Sequence, residues 1–110
     1  MTTKKNVSLT TVQSINWAPI AAMFVGVSLT TTVPRRITID HKDSVNYLVV
    51  EYDEWDDRWQ VRLGDVYEMC GHEFTADEAM AQGQMFTVAA YICRLMTDQE
   101  TRMRGVVDGN

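Results

Sequence analysis

The sequence predicts one α+β domain: a small antiparallel sheet of three to four strands, a long amphipathic C-terminal helix on one sheet face, and an N-terminal segment of helical or mixed character. Three observations predict it. Residues 45–52 and 58–63 have the composition and alternation of strands and are separated by a short polar run, the pattern of a hairpin. Thr75-Ala76-Asp77-Glu78 spells a capping box and is followed by apolar residues at the helical period. A chain of 110 residues, 45% apolar and 23% charged, has the size and composition of a single globular domain.

Taken in order, residues 1–9 form a polar leader. Asn16-Trp17-Ala18-Pro19 reads as a helix start, with Asn16 as cap and Pro19 in the first turn, and that helix is expected to run to about Val27. Ile20 to Val25 gives it no polar side, so it must be buried or be a strand instead. From Ser28 to Val33 the β-branched content favours extended chain. Ile37 and Ile39 alternate with Arg36, Thr38 and Asp40, as in a half-buried strand. In residues 58–63, Trp59, Val61 and Leu63 belong on the buried face. A short strand is expected over 66–69 after a turn at Gly64-Asp65. The C-terminal helix carries Ala81, Met85, Val88, Ala89, Ile92, Leu95 and Met96 on one side, runs at least to Met96, and has Gly105 as a natural stop. Residues 105–110 are expected to be a loose tail of the single domain.

The net charge of −5 is unevenly distributed. Residues 1–39 hold four basic residues and no acid, residues 40–68 hold nine acids against Lys42, Arg58 and Arg62, and residues 69–110 hold six acids against three arginines. An acidic chain does not grip nucleic acid over a broad surface, because phosphate binding needs a basic patch. It suits a basic protein partner. The densest acids, Asp53, Glu54, Asp56 and Asp57, fall in the expected hairpin loop with Trp55 at their centre and Glu51 just before them. Trp is a common interface anchor, and the pattern leaves open whether Trp55 projects outward or folds back on the sheet.

Two cysteines do not make a disulfide framework, so Cys70 and Cys93 are read as thiols of a cytoplasmic protein. The uncharged stretch from Asn6 to Pro34 is too interrupted to span a membrane. Cys70-Gly71-His72, with His41 and Cys93, supplies the residue types of a zinc site or a thiol nucleophile, but not the paired spacing that zinc knuckles use. The loop at 53–57 lacks the central glycine of a calcium site. No phosphate-cradling glycine loop or hydrolase signature occurs, so no cofactor is expected.

The expectation is therefore a non-enzymatic protein-binding module with an acidic surface. One version is an inhibitor carried by a phage or other mobile element that blocks host nucleic-acid-binding machinery by phosphate mimicry. Its contact residues would be Glu51, Asp53, Glu54, Trp55, Asp56 and Asp57. The alternatives are a small metal-binding or thiol enzyme centred on Cys70 and His72, and a homo-oligomeric structural or antitoxin-like protein.

Overall fold

The structure, a computed structural model, describes residues 10–64 and 73–108. The expected leader, the strand over 66–69 and the Cys70/His72 group lie outside the described residues. Element order is a 3-10 turn Val12–Ser14, helix α1 (Ala18–Ala21), strands β1 (Val27–Val33), β2 (Arg36–His41), β3 (Leu48–Asp53) and β4 (Arg58–Leu63), and helix α2 (Ala76–Asp108). The strands form one antiparallel sheet in the order β1-β2-β3-β4, which with α2 makes the α+β class expected from the sequence.

Alternation sets which side chains meet the helix. Ile37 and Ile39 of β2, Leu48 and Val50 of β3 and Trp59 of β4 are buried. They pack against Met85, Val88, Ala89, Ile92 and Met96 of α2. The β3–β4 register places Leu48 opposite Leu63, Val50 opposite Val61 and Tyr52 opposite Trp59, so one sheet face supplies the apolar layer that meets α2. The other face carries Arg36, Thr38, Glu51, Gln60 and Arg62, and also Val49, which is buried.

The N-terminal helix is a single turn, not the run from Asn16 to Val27 that the sequence suggested. Pro19 sits in its first turn as expected, but Gly26 takes φ +99, which reverses the chain before the β-branched residues enter β1. A longer helix with no polar side would have to be covered all round. Instead the segment packs one side of Ile20, together with Val12, against the core. The Val12 N–H donates to the Pro34 carbonyl at 2.7 Å, and the Trp17 indole N–H donates to the Val12 carbonyl at 2.7 Å.

The capping box forms as the sequence implies. The Glu78 N–H donates to Thr75 Oγ1 at 3.2 Å, and the Thr75 N–H donates to Glu78 Oε1 at 2.9 Å. From there α2 continues past Gly105 to Asp108. Its 33 residues span about 50 Å at 1.5 Å per residue, against about 20 Å for a six-residue strand. The helix therefore overhangs the sheet, and its last turns reach the end where the β1–β2 and β3–β4 turns lie. Within α2, a Cβ at Gly83 would meet nothing within 4 Å beyond its chain neighbours and the adjacent backbone of its own helix. Gly83→Ala is expected to stabilise the folded chain by about 0.5–1 kcal/mol, because it removes the helical entropy penalty of glycine without a clash. A raised urea midpoint at unchanged slope is the check.

Candidate functional site

The β3–β4 hairpin tip is built by local chemistry. Asp53 Oδ1 accepts the Trp55 N–H at 3.0 Å, the side-chain turn that Asp favours. Asp57 closes the loop at φ 53, a left-handed conformation that Asp tolerates better than most residues. Between them, Glu54, Trp55 and Asp56 are exposed. Trp55 is 96% exposed, so it projects outward and does not fold back onto the sheet. Trp59, four residues on, is 4% exposed, as its alternation required.

The six acidic and aromatic residues expected at the contact separate into two groups. Asp57 is held by the helix: Arg104 Nη1 donates to its Oδ2 at 2.8 Å and Nη2 to its Oδ1 at 2.7 Å, a two-pronged pair. The Tyr52 hydroxyl also donates to Asp57 Oδ1. Hydrogen bonding from Arg104 holds the Asp57 carboxyl below its ordinary value, and the same bond raises the Arg104 guanidinium. Glu51 lies on the sheet face away from the helix, 2.7 Å from Arg62 and 3.5 Å from Arg36. Its hydrogen bond raises Arg62. Asp53, Glu54, Trp55 and Asp56 remain at the tip. Asp56 reaches Arg58 only at 3.7 Å, and among the described residues Asp53 and Glu54 have no cationic partner.

Arg104 connects the tip to a buried polar cluster that sequence reasoning missed. Its Nε lies 3.3 Å from Glu100 Oε2. Glu100 Oε1 accepts the Thr10 N–H at 3.1 Å and lies 3.3 Å from Arg35 Nη1. Arg35 Nη1 also donates to the Thr10 carbonyl at 2.6 Å, and its guanidinium stacks 3.9 Å above the Tyr52 ring. The N-terminal segment, the β1–β2 turn, the hairpin base and the last turns of α2 thus meet around one carboxylate. The only sequence signal for it was a glutamate one turn beyond Met96, in line with the buried helix face.

At the opposite end of the sheet an open cleft of about 170 Å³ is lined by His41, Asp43, Asp77, Met80 and Gln84, among others. His41 Nδ1 accepts the Asp43 N–H at 3.1 Å, so Nε2 carries the proton and donates to Gln84 Oε1 at 2.9 Å. Both ring nitrogens are engaged, which leaves no lone pair for a metal. Cys93 lies nine residues beyond Gln84 along α2, about 13 Å at the helical rise, so His41 and Cys93 cannot share one ion. Burial raises the Cys93 thiol, the direction expected of a packed cysteine. Cys70 and His72 lie outside the described residues. Among the described residues no group of three His, Cys, Asp or Glu is placed to hold a metal, and no helix is long and apolar enough to cross a membrane.

Comparison with protein-family models, curated proteins and solved structures found no match for this chain.

Proposed function

We propose that this chain is a protein-binding module that docks through the β3–β4 tip, with Trp55 entering an apolar recess on the partner and Asp53, Glu54 and Asp56 facing basic residues at its rim. The observation that carries this reading is the exposure of Trp55 on a braced support. A tryptophan 96% exposed to water is an unusual use of the largest apolar side chain. Here it sits on a turn whose base is clamped by Arg104, so little conformational freedom would be lost on docking.

The carboxylates favour a basic partner, and a protein that normally grips nucleic acid offers such a surface. An inhibitor encoded by a mobile element against host nucleic-acid-binding machinery would fit that description. With Asp57 and Glu51 engaged internally, the tip offers three carboxylates around one aromatic knob. This supports occupation of a single phosphate site more than imitation of a long backbone.

The test compares capture by the wild-type chain, Trp55→Ala and Glu54→Lys/Asp56→Lys from a common lysate at low and high salt. The expected result is a protein retained by the wild type and lost with either variant, with charge reversal mattering most at low salt. Equal capture by all three would refute the tip as the contact. Displacement of the captured protein by short duplex DNA would support the phosphate-site version, and indifference to DNA would remove it.

A further inference from the structure

The outward side of α2 has a feature that the hairpin does not explain. From Ala79 to Cys93 no residue is charged, although only one side of this stretch faces the sheet. On the solvent side Met80 is 66% exposed, Phe86 45% and Tyr91 52%, with Gly83, Thr87 and Ala90 also exposed between them. A helix in contact with water on one side usually carries charged residues there, and this one does so only outside that stretch. Asp77 stands at one end and Arg94 at the other, and among the described residues neither has an ionic partner.

We infer that this face pairs with the same face of a second copy, the two α2 helices running antiparallel about a two-fold axis near Phe86. The charges select this occupant. A two-fold interface is self-complementary, so whatever lies at one end of the patch must suit what lies at the other. An antiparallel pair brings Arg94 of each chain to the level of Asp77 of its partner. To within one residue, about 1.5 Å of rise, the same register sets Met80 beside the partner's Tyr91, Phe86 beside the partner's Phe86, and Gly83 level with the partner's Thr87. The absence of a Cβ at Gly83 lets the backbones approach there. The overlap from residue 77 to 94 is about 27 Å of helix, and contact between one pair of helices over that length makes a small interface, so association is weak and concentration-dependent. The tip lies beyond the C-terminal half of α2 and stays free in such a dimer.

The test is light scattering on the full chain over a concentration series up to about 1 mM, a range that captures weak dimers. The mass should rise from that of one chain towards that of two. Asp77→Arg and Arg94→Asp, each alone, should weaken association roughly tenfold by setting like charges opposite one another at both ends. An equimolar mixture of the two variants restores opposite charges at both ends and should recover association. That recovery also shows that both variants are folded. A mass of one chain at every concentration overturns the proposal, as does association unaltered by the single variants or a mixture that gains nothing.

Discussion

Trp59→Ala is expected to destabilise the chain by about 3–5 kcal/mol, the range for a large aromatic truncated in a core, while Trp55→Ala changes stability by less than about 0.5 kcal/mol, as surface substitutions do. The two residues are four apart on the same hairpin. Trp59 is 4% exposed, meets Tyr52 edge-on with ring centroids 5.9 Å apart, and lies within 5.3 Å of the Arg35 guanidinium. Its removal leaves a cavity between sheet and helix and takes one wall from beside Arg35. Trp55 contacts solvent. Trp59→Phe should cost far less than alanine, because the indole N–H has no hydrogen-bond partner among the described residues and the ring volume is largely kept. Urea unfolding followed by circular dichroism separates the three variants. A Trp55→Ala loss as large as that of Trp59→Ala would mean that the tip packs against the body of the domain, and the case for a free docking residue would fall with it.

Much of this contrast was legible in the sequence. Alternation put Trp59 with Val61 and Leu63 on the buried face, and the polar run 53–57 marked the hairpin. Thr75 and Glu78 announced the start of α2. What the sequence left open were decisions made by distant residues. Whether Trp55 projects or folds back depends on a loop conformation fixed partly by Asp57, and Asp57 is fixed by Arg104, 47 positions away. Composition counted Asp57 and Glu51 among the presented acids, but the fold pairs both internally. The pairing of Glu51 with Arg36 and Arg62 follows from register, since Arg36 lies opposite Glu51 on β2 and Arg62 is a near neighbour on β4. The segment from Asn16 to Val27 was open between helix and strand for a related reason. A run of apolar residues without a polar side has no period to separate helix from strand, and the deciding feature was the positive φ of Gly26.

Glu100→Ala is expected to cost about 3 kcal/mol, comparable to losing a core side chain although the residue is an acid. Glu100 is 6% exposed and faces Arg35 and Arg104 while accepting the Thr10 N–H. Alanine removes all three partnerships at once. Arg35, whose side chain is 19% exposed, keeps its charge in a half-dry site without the carboxylate opposite it, and the buried Thr10 N–H loses its acceptor. Glu100→Gln separates these contributions. The amide oxygen still accepts from Thr10, so its loss reports the charge, and the remaining difference to alanine reports the hydrogen bond and packing. Arg104→Ala removes the surface pair with Asp57 and the contacts to the Tyr52 hydroxyl and Glu100 Oε2, but it leaves Glu100 with Arg35 and the Thr10 N–H, and is expected to cost only about 1–2 kcal/mol. The predicted order, Glu100→Ala well above Arg104→Ala with Glu100→Gln between, is read from urea midpoints at a common slope. Equal losses for Glu100→Ala and Arg104→Ala would place the energetic centre at the hairpin clamp instead of at Glu100. If the order holds, the docking tip stands on a support whose stability resides one helical turn below it, so tip substitutions can alter binding without loosening the fold.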